Sequence, residues 1–425
     1  MRNTVMKNPP NALIVTRLFS GLIRSVVDKN WKPTGIPAIY KIIEGMNQSG
    51  IKTDVLFLCK TDLESKDILK TESFRLEQNK VNNILFHVAP YKNTIIKSTR
   101  FNWLYNDFFQ LIYYIKLLSQ RKYDVIYCDR ANVFYGAVAA LFLRKKVILR
   151  LLGIYPDMKA LFSNIKCAVL SPITYFSYLA PFTFITCTQD DSGGGYYLSK
   201  LPNQNVPKKL LLNGVDHKNS SSQELLKLRE KHALKSDRPV LLFVGKLEKV
   251  KGCIEYVETM INIKNQGYKF YALIIGAGPM SEKIEKIIED NNIDDVVKFI
   301  GPVPNTEIYH YYNLADIYVH LYIWASLTNT VLESMCAGNA LVLISPSKEE
   351  HIGEYAEEII PSDCAVRFSR EKNVPDLTEK LLVLLDDPLK IRDYKARMAK
   401  LAPKILSGWE QRIDYEIGLI RKSVS

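Results

Sequence analysis

Short β-branched apolar runs alternate with amphipathic stretches along most of this chain. In the second half the runs are VLLFVG (Val240–Gly245), YALIIGAGP (Tyr271–Pro279), VKFIGPV (Val297–Val303), ADIYVHL (Ala315–Leu321) and NALVLIS (Asn339–Ser345). Each closes on glycine or a helix-start signal and is followed by residues of helical period, which predicts a doubly wound α/β sheet whose strand ends share one crevice. The first half repeats the pattern with NALIVT (Asn11–Thr16), TDVLFLC (Thr53–Cys59), NILFHV ending near His87, YDVIYC (Tyr123–Cys128), KVILRLLG (Lys146–Gly153), FTFITCT (Phe182–Thr188) and KKLLLNGVD (Lys208–Asp216). Between the first two runs Pro37 opens a helix that Gly50 stops. The polar stretch after Asp216 reads as a domain connection. The expected organisation is a front domain over 1–216, a back domain over 217–406, and a last helix over 407–425 that folds back onto the front.

Two segments depart from the alternation. Cys167–Gln189 carries no charge, but Pro172 and Pro181 interrupt it, so a helix followed by a buried strand is expected instead of a membrane span. Over Phe101–Tyr123 aromatic and aliphatic positions nearly encircle a helix that ends in basic residues. A core helix is the expectation, with an interfacial contact as the alternative.

At 425 residues the chain exceeds a single core and should form two domains. Its seven cysteines are scattered without a CxxC pair, which argues against metal or disulfide use and fits a reducing cytoplasm. The first twenty residues contain no apolar core of a signal peptide. The net charge of +12 is uneven: residues 1–216 hold 29 Lys+Arg against 15 Asp+Glu, a balance of +14, and the remainder 28 against 30, a balance of −2. A basic front half points to an anionic partner. No clustered Arg/aromatic module favours nucleic acid, so an anionic membrane surface or a phosphate-bearing acceptor is expected.

The candidate chemistry gathers at the strand ends of the back domain. In SLTNTVLESM, Thr328 and Asn329 are good N-cap residues and Thr330 begins a short helix. Its first amides lack internal partners and carry the positive end of the dipole, which suits a diphosphate. Glu333, one turn in, is placed to accept from two ribose hydroxyls. Lys246 follows VLLFVG and Lys251 starts the next helix; two ammonium groups there can neutralise a departing diphosphate. Gly276 and Gly278 permit close backbone approach at the next strand end, and the turn around Val303 can offer backbone groups to a nucleobase edge. Each feature also has a plain structural reading as a capped surface helix, a solvated lysine loop or a tight turn.

Together, VGKLEKVKG, GAGP, FIGPV, LADIYV and NTVLESMCAGNALVL, with NGVD (Asn213–Asp216) and the terminal SGWEQRIDYE, resemble the family-4 retaining glycosyltransferases. The resemblance is specific over about 208–345 and the C-terminus and loose over the front half. It implies a GT-B fold, two facing Rossmann-like domains with a cleft between them. It further implies a cytoplasmic enzyme, peripheral on the inner face of a membrane, that moves a sugar from a nucleotide-diphosphate sugar to a lipid-linked, polysaccharide or other glycan acceptor. No cofactor and no metal are expected, since no Asp-x-Asp is present. Lys246 and Lys251 fall on the family's phosphate-binding pair and Glu333 on the second glutamate of its Glu-x7-Glu motif. Gly35, in KPTGIP, matches the glycine-bearing loop that approaches the donor phosphates.

The first glutamate of that motif is replaced by Ala325, with Tyr322, Trp324 and Ser326 as the neighbours able to contact a sugar. A front-domain histidine facing the reacting carbon has no clear match. His87 is the nearest, and a structural role for it is expected. Asp129, Arg130, Arg150 and Asp157 end front-domain strands and are the acceptor-side candidates. Two other readings stay open: a non-catalytic sugar-nucleotide-binding subunit, which Ala325 favours, and a nucleotide-sugar epimerase.

Overall fold

The structure is a computed structural model that describes residues 9–68, 70–76, 78, 80–92, 99–201 and 203–424. The signal-peptide reading of the N-terminus falls partly on residues 1–8, which lie outside the described residues. The chain divides into two compact units. One comprises the chain up to Thr188, Gly195–Leu211 and the residues from Trp409 onward; the other comprises Gln189–Gly194 and Leu212–Gly408.

The first unit is built on β1 (Asn11–Arg17), β2 (Lys52–Leu58), β3 (Glu72–Arg75), β4 (Leu85–Ala89), β5 (Val125–Asp129), β6 (Lys146–Leu151), β7 (Phe184–Thr188) and β8 (Lys208–Leu211). Among the described residues these form one sheet in the order β3-β4-β2-β1-β5-β6-β7-β8, parallel except for the edge strand β3. Alternate residues serve opposite faces, as strand geometry requires. Leu13 and Val15 pack with Tyr114, Tyr135 and Met158 on one side; Ala12 and Ile14 pack with Ile39, Ile42 and Trp409 on the other. Both faces are therefore covered, the usual condition of a parallel sheet.

The C-terminal helix Trp409–Val424 belongs to this unit. Its Ile413, Ile417 and Ile420 are buried against the helix Pro37–Gln48 and the sheet. Glu416 is fully buried beneath it. There it accepts from the Tyr127 hydroxyl at 2.5 Å and from Arg412 at 2.7 Å, with Arg150 at 3.5 Å. Burial alone would push this carboxyl up, but the two guanidiniums outweigh it and hold the group below its ordinary range.

The uncharged stretch resolves into the helices Ile165–Leu170 and Pro172–Ser177 and the strand β7. Among the described residues no helix is long and apolar enough to cross a membrane. The helix Thr99–Gln120 corrects the core expectation. Its inward face is partly polar, and most of its aromatic face is exposed.

The second unit contains β9 (Val240–Val244), β10 (Tyr271–Ile275), β11 (Val297–Gly301), β12 (Ile317–His320), β13 (Ala340–Ile344) and β14 (Ala365–Phe368). They pair in parallel in the order β11-β10-β9-β12-β13-β14. Numbered from β9 this is the 3-2-1-4-5-6 order of a dinucleotide-binding sheet, whose switch point lies between its first and fourth strands. That switch point is where β9 and β12 end, so the ends of these two strands position the site.

Candidate functional site

At the switch point, β9 runs into Gly245, Lys246 and a short turn over Lys249–Lys251 before the helix Cys253–Asn265. Gly252 joins the turn to the helix with a φ of +72°, and a Cβ there would sit 2.3 Å from Leu321 just beyond β12. Glycine thus lets the two strand ends meet. On the β12 side the Lys251 ammonium lies 3.0 Å from the centre of the Tyr322 ring, whose neighbour is Trp324 at 6.0 Å. Burial pulls Lys251 down to about 8, opposed by the charges of Glu248 and Asp190. Lys246 is exposed and paired with Glu248. The two lysines share one loop but differ in kind: one is solvated, the other desolvated on an aromatic face.

Gly276 and Gly278 are required by the packing of this loop on its neighbour. Gly276 has a φ of +142°, and a Cβ on it would fall 1.8 Å from the Gly245 carbonyl oxygen; one on Gly278 would fall 2.5 Å from that of Leu247. Backbone bonds fasten the approach, with the Leu247 N–H donating to Ala277 and the Met280 N–H to Leu247, both at 3.0 Å. Val303 follows Gly301 at the end of β11 and is half-buried against the core that includes Tyr311 and Leu314.

The helix after β12 spans Asn329–Cys336, one residue earlier than the expected start at Thr330. Thr328 is its N-cap by backbone conformation, but its side chain makes no cap. Its hydroxyl lies 3.0 Å from that of Thr330, and the Asn329 side-chain oxygen accepts from Asn213 at 2.7 Å. The opening amides therefore donate no hydrogen bond to the cap side chain. Glu333 is half-buried one turn in, and burial pushes its carboxyl up to about 7, tempered by the Tyr312 hydroxyl. Glu333 and Lys251 are thus both shifted by burial toward their neutral forms, the carboxyl upward and the ammonium downward.

Ala325 is buried, and its carbonyl accepts from His320 Nε2 at 2.9 Å. Burial, helped by the Lys251 charge and opposed by the hydrogen bond to Ala325, lowers that histidine to about 4, so the ring is neutral at ordinary pH. Of the three neighbours expected to contact a sugar, Tyr322 carries Lys251, Trp324 is half-buried, and Ser326 is buried with no hydrogen-bond partner for its hydroxyl.

Sequence reasoning missed Asp190 and Asp191. They follow β7 yet belong with the second unit: the Asp190 carbonyl accepts from the Leu327 N–H at 2.9 Å, and its carboxyl holds Ser192. Burial pushes Asp190 up to about 6, against the pull of Lys251. The Asp191 carboxylate accepts from the N–H groups of Tyr355 and Ala356, at 3.1 and 2.8 Å, and is pushed up to about 7 by burial. An acidic pair directly after a strand and before a glycine run, QDDSGGG, was the available signal.

The front-unit candidates divide. Asp129 and Arg150 are corrections: both are fully buried and spent on structure. Asp129 accepts from the Thr16 hydroxyl at 2.7 Å, from the Arg17 N–H at 2.9 Å and from Asn132, fastening β1 to β5. Arg150 donates to Thr186 and Thr188 and lies on Glu416. Arg130 and Asp157 form an ion pair with each other, and the Arg130 guanidinium lies 4.7 Å from the Tyr155 ring. Gly35 lies against Gly21, where a Cβ would come 2.5 Å from the Gly35 nitrogen, just ahead of the helix Pro37–Gln48. His87 is buried with Nδ1 at 2.7 Å from the Ser73 hydroxyl and 3.1 Å from that of Tyr113, the structural role expected of it.

Residues 226–404 match the family described as glycosyl transferases group 1. The chain is 25% identical over 205 residues to an alpha-D-kanosaminyltransferase of Streptomyces kanamyceticus, covering 48% of this chain and 50% of that protein. It is 23% identical over 142 residues to an alpha-monoglucosyldiacylglycerol synthase of Acholeplasma laidlawii, covering 32% and 35%. The chain thus spans half or less of the length of these two relatives. In fold it is similar to the crystal structure of Anabaena HepE in complex with UDP, with a TM-score of 0.69 at 14% identity over 97% of this chain and 100% of that one.

Proposed function

We propose, for a chain that carries a glycosyl transferases group 1 domain on a GT-B fold, that it transfers a sugar from a nucleoside diphosphate sugar to a glycan or lipid-linked acceptor. The observation that carries this reading is the convergence at one switch point of the Lys251 ammonium, the side-chain-uncapped amides of the helix Asn329–Cys336 and the half-buried Glu333 carboxyl. Lys251 and Lys246 neutralise the diphosphate, with Lys246 exchanging Glu248 for a phosphate oxygen. The helix amides bind the same group through dipole and hydrogen bonds. Glu333 accepts from the ribose hydroxyls, and the backbone near Val303 reads the base. Gly276 and Gly278 hold the phosphate loop in shape. UDP bound to the fold neighbour supports a nucleotide donor, and a relative named as an alpha-monoglucosyldiacylglycerol synthase supports a lipid acceptor.

The reaction retains configuration and runs without a metal. The bond from the anomeric carbon to the phosphate oxygen breaks, the acceptor oxygen bonds to the same face, and the acceptor proton passes to the departing phosphate oxygen. Lys251 stabilises the charge that grows on that oxygen, where a low-dielectric surrounding makes a fixed cation most effective. Arg130 and Asp157, exchanging their mutual ion pair, are the remaining acceptor-side candidates.

Ala325 supports a second reading, in which the chain binds a sugar nucleotide without turning it over, because a buried methyl offers no hydrogen bond to a sugar. Incubation with UDP-glucose and GDP-mannose separates the two. Slow release of nucleoside diphosphate that disappears in Lys251→Met is the expected result. Tight nucleotide binding with no release from any donor, with or without acceptor, would establish the binder.

A further inference from the structure

In the sheet of the first unit, the parallel strands β1, β2, β4 and β5 all begin at one end, opposite the strand ends that carry the acceptor-side candidates. Their starts lie side by side in register, with Asn11 opposite Lys52, Ala12 opposite Val125 and Asp54 opposite Leu85. The antiparallel edge strand β3 runs the other way and so brings its last residue, Arg75, opposite Leu85 at this same end. Arg121 and Lys122 arrive from the close of the helix Thr99–Gln120, just ahead of β5. The topology thus gathers four cations, Lys52, Arg75, Arg121 and Lys122, around one cavity of about 590 Å³. Small-molecule pockets have about this size, roughly 300–1,000 Å³.

Among the described lining residues the one acid is Asp54, which leaves four cations against one carboxylate, a balance of +3. That carboxylate is committed: it accepts from the Tyr123 hydroxyl at 2.6 Å and from Arg121 at 2.9 Å. Asp54 and Tyr123 are buried, so their bond makes a fixed floor. Asp124, just outside the lining, is occupied by the Asn11 N–H at 2.8 Å. Lys52, Arg75 and Lys122 are exposed and make no ion pair with a described residue. Like charges held around one hollow raise its potential and favour an anion there. The remaining lining narrows the ligand. Asn11, Asn47 and Asn83 bring amide side chains. The one aromatic residue among the described lining is Tyr123, whose ring is buried, so a nucleobase finds no face to stack on. A bare phosphate ion would leave most of this volume, and the amides, without a partner.

We propose that this cavity is a binding site for a phosphorylated sugar, with the phosphate on the Lys52, Arg75 and Lys122 cations and the hydroxyls on the asparagine amides. Guanidinium and ammonium groups hold phosphate oxygens through charge-assisted hydrogen bonds, the strongest that exposed side chains make. The site is distinct from the acceptor-side pair of Arg130 and Asp157, because Arg130 follows the last residue of β5 whereas Lys122 and Tyr123 precede its first. The inference goes beyond sugar transfer and does not rest on it, since every residue it uses belongs to the first unit.

The test is calorimetric titration of the full chain with glucose 6-phosphate, mannose 6-phosphate, inorganic phosphate and UDP. At least one sugar phosphate is expected to bind more tightly than inorganic phosphate, with an affinity that falls as salt is added. The Arg75→Gln/Lys122→Gln pair should weaken that binding at least about tenfold, two charge-assisted bonds being lost. Lys52→Gln should weaken it by a smaller factor. All three positions are exposed side chains of the first unit, so these variants should bind UDP as the parent does. Equal sugar-phosphate binding by the pair and the parent would overturn the assignment, as would binding of neither sugar phosphate by the parent. Inorganic phosphate binding as tightly as both sugar phosphates would also overturn it, reducing the cavity to a simple anion site. UDP binding that the pair abolishes would overturn the ligand class, giving the cavity to a nucleotide.

Discussion

Replacing Glu333 by glutamine keeps the shape of the side chain and removes only its titration. Burial raises this carboxyl from 4.5 to about 7 in the folded chain. A folded-state value above the unfolded one means the native protein holds the proton more tightly. The burial penalty is therefore absent below the unfolded value, grows as pH rises, and is complete above about 7. A rise of this size corresponds to about 3 kcal/mol, of which about 2 to 3 kcal/mol develops between pH 5 and pH 8. Urea unfolding of the second unit should show Glu333→Gln gaining stability over the parent by that amount across this interval, other groups cancelling in the difference. A diphosphate nucleotide should reverse the picture. Ribose hydroxyls donating to the carboxylate favour its charged form, so UDP binding near about pH 6.5 should release up to about one proton, read by calorimetry in buffers of different ionisation enthalpy. The glutamine variant should release none and bind about 1–3 kcal/mol more weakly. A pH-independent stability difference, or the same proton release from both proteins, would refute the reasoning.

Lys251→Met should lower turnover at saturating donor, because the missing charge stabilises the departing diphosphate. In the parent, turnover should fall as pH rises through about 8, where the ammonium is lost, and a parent profile that stays flat across that range would count against the role. Glu416→Gln removes the carboxylate shared by Arg150 and Arg412 and leaves two guanidiniums buried together. It should cost about 3–5 kcal/mol in the unfolding of the first unit. Because that carboxyl is held below its ordinary range, its contribution in the parent is present above that range and is lost on acidification, so the parent and variant curves should converge at low pH.

The fold was legible in the chain because buried parallel strands leave a strong mark. Runs such as VLLFV and ALVLI have no polar face to confuse the reading, and glycine or a helix start closes each of them. The edge strand β3, ESFR, left almost none; it is half polar and gains its pairing only from β4. At the candidate site, the loop lysines, the glycine turn and the helix carrying Glu333 each lie within a short stretch of sequence and could be read from it. Asp190 and Asp191 were not, because their position is set by bonds to Leu327 and Ala356, far along the chain. Burial was the other blind spot. Asp129 and Arg150 end strands exactly as ligand-binding residues do, and only their partners Thr16 and Glu416 show that they are spent internally. In the helix Thr99–Gln120 the aromatic residues suggested a core, whereas Asn106, Asp107 and Gln110 occupy the buried face.

A crystal structure of the chain with UDP tests the central claim most directly. The account predicts a diphosphate within hydrogen-bond reach of Lys251 Nζ and the first amides of the helix Asn329–Cys336, with both ribose hydroxyls on the Glu333 carboxylate. A nucleotide bound elsewhere, or one at this switch point whose ribose turns away from Glu333 while Lys251 stays on the Tyr322 ring, would contradict it.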